Sequence, residues 1–186
     1  MNKTVTSKDE ILAASRTLLL EGGASALNMR AVAAACGIAV GSLYNYFPSK
    51  VALIGATIER IWTDIFRGFM TAPVFEDFAA CTEALLTALD EGEAQYPGFF
   101  TVHALSFATS DKADGRALMA RGFATLRAKL VQSLEADAKI RDGVFDGALS
   151  RDAYADYVLK LAIMQELHGN SSTRGALLAL VRNSIY

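Results

Sequence analysis

A short segment near the N-terminus carries side chains suited to binding duplex DNA. The hydroxyls of Ser42 and Tyr44 suit phosphate oxygens. Asn45 carries the amide that can read adenine through two hydrogen bonds, and Val40 can contact a thymine methyl group. Gly41 has no side chain, so the backbone there can approach a duplex closely. Together these residue types indicate a surface that contacts both the backbone and the bases of DNA.

Two cations flank this segment. Lys50 follows it and can neutralise a phosphate, and Arg30 precedes it and can reach a phosphate or a guanine edge. Residues 1–70 contain seven Lys or Arg and five Asp or Glu, whereas residues 71–186 contain eleven and fifteen. The DNA-facing part is therefore expected at the N-terminal end. Its thin basic excess favours site-specific binding over strong nonspecific binding.

The elements that position these side chains are two short helices and a tight turn. Asn28 is a good N-cap for a second helix. That helix is expected to end at Gly37, because the left-handed backbone conformation that ends a helix is least costly for glycine. A third helix is predicted from Val40 to Phe47, with Leu43 and Phe47 facing inward. This arrangement is typical of a helix-turn-helix, whose second helix enters the major groove.

The segment AVGSLYNYFPSK, after RAVAAACGI, resembles the recognition-helix signature of the TetR family of one-component bacterial transcriptional regulators. The resemblance covers roughly residues 7–55. It implies that Arg30, Ser42, Tyr44 and Lys50 contact DNA. Three positions depart from the family pattern: Ala39 replaces a Ser-like N-cap, Val51 replaces a Glu, and Val40 is nonpolar where many relatives are polar. These departures make direct base readout poor and leave the operator sequence undetermined.

The rest of the chain is predicted to be helical, which makes the fold all-α. Ser7 and Glu10 form a capping box for a first helix that ends at Gly22 and Gly23. The predicted domains are a helix-turn-helix domain over residues 1–50, a connecting fourth helix over about 49–70, and a helical effector-binding and dimerisation domain over 71–186. Within the last domain, helices are expected over about 75–95, 99–110, 113–140, 150–168 and 173–186.

The resemblance implies an effector cavity in the C-terminal helices. The candidate lining residues are mostly aromatic: Trp62, Phe66, Phe99, Phe100, His103, Phe107, Phe123, Tyr157 and Met164. An aromatic stripe at helical spacing is also what an ordinary helical core looks like, so packing is the alternative for each of them. Few charged residues lie near these positions, which favours an apolar or aromatic effector.

The resemblance also implies a homodimer formed by the last helices. The candidate interface residues are Leu177, Val181 and Ile185, which share one apolar stripe of the last helix, and Leu161 on the helix before it. A hydrophobic content of 52% and a mean hydropathy of +0.26 suggest apolar surface buried beyond the core of a monomer.

Other classes of protein find little support. The chain has no G-x-S-x-G elbow, no P-loop and no H-E-x-x-H sequence, so we expect no enzyme. Cys36 and Cys81 give no zinc spacing, so neither a metal nor a cofactor is expected. No apolar run reaches the length of a membrane span and no signal peptide is recognisable, which predicts a cytoplasmic protein.

The sequence thus predicts a homodimeric repressor that binds a palindromic DNA operator and is released by a small apolar or aromatic effector. The alternative is a dimeric helical protein that binds a small molecule or a partner without sequence-specific DNA binding.

Overall fold

The computed structural model describes residues 6–100, 112–167 and 173–186, and within these ranges it contains eight α-helices and no strand. The predicted all-α fold is confirmed. The helices are α1 (Lys8–Ala26), α2 (Met29–Ala35), α3 (Val40–Tyr44), α4 (Lys50–Thr71), α5 (Phe78–Gln95), α6 (Lys112–Ala136), α7 (Arg151–Leu167) and α8 (Arg174–Ile185). None of these helices is long and apolar enough to cross a membrane.

The chain divides into two compact units. The head unit comprises Met1–Asp64 and Tyr96–Leu118, and the body unit comprises Ile65–Gln95 and Met119–Tyr186. The division falls within α4, whereas the sequence predicted a connecting helix to about residue 70 and a second domain from residue 71. The sequence pattern does not mark this division, because α4 is one unbroken amphipathic helix that contributes core residues to both units.

In the head unit, the caps read from the sequence start α1 as expected. The Glu10 amide donates to Ser7 Oγ at 3.1 Å, and the Ser7 amide donates to Glu10 Oε2 at 2.7 Å, which completes the capping box. Helix α1 continues past the predicted end to Ala26, with a break in its dihedral angles at Gly23, where φ is +67°. Glycine adopts this angle without the steric cost that a Cβ would bring.

Long-range polar contacts fix α1 against α4 in the head unit. Arg16 Nη1 lies 3.5 Å from Asp64 Oδ2 and donates to the hydroxyl of Tyr96 at 3.4 Å. That hydroxyl donates in turn to Asp64 Oδ2 at 3.3 Å. Burial, together with the Asp64 carboxylate, raises the pKa of Tyr96. A second arginine, Arg60, bridges Asp9 and Asp64.

The body unit has a core built on α5, α7 and α8. Phe78, Leu85 and Leu89 of α5 are fully buried. Gly92 permits a close approach to Ile65, because a Cβ at this position would lie 2.7 Å from the Ile65 side chain. The buried Asp137 accepts hydrogen bonds from the Phe78 amide at 2.9 Å and the Tyr186 hydroxyl at 2.5 Å, which fixes the start of α5.

Candidate nucleic-acid interface

The turn between α2 and α3 has the geometry that the sequence predicted. Asn28 caps α2 by accepting the Ala31 amide at 3.0 Å. At the other end, Gly37 has a φ of +64° and its amide donates to Ala34, while the Ile38 amide donates to Ala33 at 3.0 Å. This pair of bonds is a Schellman motif, which stops α2 and redirects the chain into α3.

Helix α3 is held by its inner face and leaves its outer face to solvent. Leu43 is fully buried and Phe47 is 3% exposed. The sequence predicted a helix to Phe47, but α3 ends at Tyr44 and the chain continues as a turn, in which the amides of Tyr46 and Phe47 both donate to the Leu43 carbonyl. Ala39 makes no side-chain cap bond, in keeping with its departure from the family pattern.

The seven residues predicted to contact DNA lie at the surface of the head unit. Arg30, Gly41, Ser42, Tyr44, Asn45 and Lys50 are exposed and Val40 is partly exposed. Tyr44 is 49% exposed, a large fraction for an aromatic side chain. Among the residues that the structure describes, neither Arg30 nor Lys50 has a carboxylate within ion-pair distance. Both cations are therefore available to an anionic partner.

Two contacts that the sequence did not reveal join the start of α1 to the turn that follows α3. The Tyr46 hydroxyl donates to the carbonyl oxygen of Thr6 at 2.7 Å. The Lys8 ammonium lies 5.5 Å from the centroid of the Phe47 ring. The two pairs are 40 and 39 positions apart, so no periodicity or cap rule could have found them.

Cys36 forms the C-cap of α2 in the same region. Burial, and then the nearby Glu10 carboxylate, raise the pKa of its thiol. The thiol form is therefore favoured near neutral pH, and Cys36 acts as a small capping and packing residue of the turn.

The aromatic residues proposed to line an effector cavity fall into different places. Trp62, Phe99 and Phe100 belong to the head unit and pack edge to face, with ring centroids 5.5 Å apart for both tryptophan pairs and 5.7 Å apart for the two phenylalanines. Rings at this spacing are in direct contact, so the three side chains pack against one another.

Four other lining candidates belong to the body unit. Phe66 and Phe123 belong to the body unit, where Phe66 packs against Phe69 at 6.5 Å between ring centroids. Tyr157 and Met164 are 57% and 48% exposed on α7, so the prediction that they line an enclosed cavity is wrong. His103 and Phe107 lie outside the described residues, as does most of the helix predicted over 99–110.

The predicted dimer stripe also needs correction. Leu177, Val181 and Ile185 are 3%, 0% and 0% exposed, because α8 turns this face onto the core of its own chain. They are therefore unavailable to a second copy. Leu161 is 44% exposed on α7 and remains a candidate. Tyr157, Leu161 and Met164 share one face of α7 at helical spacing, and the nearby helix α8 exposes 53% of Leu180.

Comparison with known proteins supports the assignment of the head unit. Residues 11–57 match the family model described as bacterial regulatory proteins, tetR family. The chain is 47% identical over 53 residues to the HTH-type transcriptional repressor KstR of Rhodococcus jostii. This aligned segment covers 28% of this chain and 25% of that protein. It is 30% identical over 128 residues to the nucleoid occlusion factor SlmA of Actinobacillus pleuropneumoniae, which covers 66% of this chain and 61% of that one. The chain thus spans about a quarter of the length of the KstR proteins that it matches.

Solved structures share the whole fold. Salmonella enterica GusR superposes with a TM-score of 0.72 at 18% identity, over 98% of this chain and 99% of that one. The reduced form of Escherichia coli NemR superposes with a TM-score of 0.69 at 18% identity, over 96% of both chains. At such identities the likeness establishes the fold alone. The segment that matches the tetR family of bacterial regulatory proteins, residues 11–57, contains the capped turn and the exposed face of α3 described above.

Proposed function

We propose that this protein is a transcriptional regulator that binds operator DNA by placing α3 in the major groove. The observation that carries the proposal is the exposed row of Gly41, Ser42, Tyr44 and Asn45 on a helix whose opposite side is anchored by the buried Leu43. Small, polar and aromatic residues at four outward positions add little to the stability of so short a helix. DNA binding therefore explains these residue types better than stability does.

The roles of the individual side chains follow from their chemistry. The Ser42 and Tyr44 hydroxyls would donate to phosphate oxygens and fix the register of the helix on the duplex. Asn45 would read adenine and Val40 would contact a thymine methyl group. Arg30 and Lys50, at the starts of α2 and α4, would neutralise phosphates on either side of the groove.

We also propose that the protein acts as a homodimer on a palindromic operator. The support is that Tyr157, Leu161 and Met164 expose apolar side chains on one face of α7, since clustered exposed apolar side chains mark protein interaction sites. A two-fold dimer presents two copies of α3, and such dimers bind half-sites one helical turn of DNA apart or a multiple of it.

Release by a small effector completes the proposal. An apolar or aromatic molecule that binds the helical part of the chain would favour a dimer whose two α3 helices no longer match successive major grooves. The protein would then act in the cytoplasm as a repressor, without catalysis. Effector addition that leaves operator affinity unchanged would count against this part.

The test is selection of bound sequences from random duplex DNA, with the wild type and Tyr44→Ala side by side. The proposal expects the wild type to enrich a palindrome that the variant fails to enrich, while both have the same circular dichroism spectrum. No enrichment at low salt from a folded wild-type dimer would favour the alternative, a small-molecule-binding or partner-binding protein without sequence-specific DNA binding.

A further inference from the structure

The start of α1 lies beside the end of the α3 segment. The Tyr46 hydroxyl bonds to the Thr6 carbonyl oxygen, and the Lys8 ammonium lies 5.5 Å from the ring centroid of Phe47. Phe47 immediately follows Tyr46 and precedes Lys50 by three residues. These two contacts place the first turn of α1 next to the surface that carries Tyr44 and Lys50.

The charges of this region single out Lys8. Four cations occur among residues 6–50, and Arg16 is engaged with Asp64 and Tyr96. The other three are Lys8, Arg30 and Lys50, and all are exposed. Within the described ranges, no carboxylate lies at ion-pair distance from Lys8.

The acidic neighbours of Lys8 are directed elsewhere. Asp9 pairs with Arg60 at 3.1 Å. The Glu10 carboxylate accepts the Ser7 amide in the capping box, and this bond lowers the pKa of Glu10. Both carboxylates thus serve the structure of the head unit. The Lys8 ammonium itself lies over the face of Phe47, an interaction that is weak at an exposed site.

We propose that Lys8 binds a backbone phosphate of the same duplex that α3 reads, which extends the DNA-binding surface onto α1. This inference rests on the proposed DNA-binding function. The phosphate is sequence-independent, so Lys8 would contribute to affinity without changing which bases are preferred. The ammonium would leave the Phe47 ring or tilt over it to reach the phosphate, with its stem still packed on the ring.

The experiment compares the salt dependence of operator binding for the wild type, Lys8→Met and Lys8→Arg. Methionine keeps an unbranched stem over Phe47 and helix propensity but removes the charge, whereas arginine restores the charge. Arg151→Gln is the control, because it removes one exposed cation from the body unit. Thermal unfolding of each variant verifies that the fold is unchanged.

For each bound protomer, Lys8→Met is expected to reduce the slope of log K against log salt by about 0.9, and to weaken binding about eightfold at about 0.1 M salt. Lys8→Arg should restore both values, Arg151→Gln should change neither, and the preferred sequence should stay the same. An unchanged slope for Lys8→Met would overturn the proposal, as would a change of slope that Lys8→Arg fails to restore. If the wild type binds no DNA at all, the proposed function itself fails, and that result is distinct from an unchanged slope.

Discussion

The Tyr46 hydroxyl donates a hydrogen bond of 2.7 Å to the carbonyl oxygen of Thr6, and this bond ties the end of the α3 segment to the chain that enters α1. The two residues are forty positions apart, and the bond is partly buried. Because Leu43 and Phe47 already hold the inner side of the same segment, we expect the Tyr46 bond to limit the rotation and tilt of α3.

Removal of that hydroxyl by Tyr46→Phe tests its positioning role. The substitution should lower the free energy of unfolding by about 0.5–1.5 kcal/mol, the usual contribution of one hydrogen bond. Operator affinity should fall a few-fold under conditions where the variant is fully folded, because α3 is held less firmly. Denaturant unfolding and fluorescence anisotropy with labelled operator measure the two effects. Unchanged affinity in a destabilised variant would show that the bond serves folding alone.

Gly41→Ala separates stability from DNA binding. A Cβ at Gly41 would meet no atom within 4 Å, so alanine fits the folded protein, and its better helix propensity should raise the free energy of unfolding by about 0.5–1 kcal/mol. If the backbone at this position approaches the duplex closely, the added methyl group should weaken operator binding about tenfold or more. A more stable variant that binds with wild-type affinity would contradict the close approach.

Gly37→Ala is the matched substitution in the turn, with the opposite expected effect on stability. Gly37 has a φ of +64°, where a Cβ costs about 1–2 kcal/mol, so the free energy of unfolding should fall by about that amount. The same denaturant experiment measures it. Equal stabilities of the two alanine variants would mean that the left-handed turn is not maintained in solution.

Two aspartate substitutions distinguish the exposed apolar face from the buried stripe. Leu161→Asp changes a side chain that is 44% exposed, so the variant should fold normally and sediment as a monomer if this face forms the dimer. Val181→Asp would place a carboxylate at a fully buried position, which should destabilise the fold by several kcal/mol. Analytical ultracentrifugation and circular dichroism measure both. A folded, dimeric Leu161→Asp variant would remove the proposed interface.

Asp77 should make the body unit sensitive to acid. Its carboxylate accepts the Ala80 amide at 2.8 Å at the start of α5, and this bond, together with Lys139 at 2.9 Å, lowers the pKa of Asp77 below its usual 3.8. The ionised form is therefore favoured in the folded state. Its contribution to stability is complete above about pH 4 and is lost as the pH falls through the lowered pKa.

Asp77→Asn keeps an oxygen that can cap α5 but removes this titration. The unfolding free energy of the variant should therefore decline less than that of the wild type between about pH 4 and pH 2. Asp142→Asn, which removes an exposed carboxylate of the body unit, serves as the control. Parallel pH profiles for the wild type and Asp77→Asn, measured by urea denaturation, would contradict the assignment.

Local rules recovered much of the fold from the sequence. Ser7 with Glu10, Asn28, and Gly37 all act at the positions predicted for them, because a cap or a left-handed turn depends on residues only a few positions apart. The outward and inward faces of α3 followed in the same way from helical periodicity. The candidate DNA-binding surface is therefore predictable from local sequence patterns.

The errors arose where partners are distant in sequence. The stripe of Leu177 and Val181 correctly indicated burial, but periodicity does not say whether the covering surface belongs to the same chain or to a second copy. The prediction that Tyr157 lines a cavity failed because periodicity also does not say whether an apolar residue on a helix faces a cavity or solvent. Arg16 and Asp64, forty-eight positions apart, gave no pattern at all.

The most direct test of the central claim is the affinity of the protein for its selected operator and for a shuffled duplex, with the wild type, Tyr44→Phe, Tyr44→Ala and Val74→Ser compared at the same salt concentration. Val74 is an exposed apolar residue of the body unit and serves as the control. The account predicts strong preference of the wild type and Val74→Ser for the operator, a partial loss for Tyr44→Phe and a near-complete loss for Tyr44→Ala, with all four proteins folded. Equal binding of operator and shuffled duplex by the wild type, or operator binding that is insensitive to Tyr44→Ala, would contradict it.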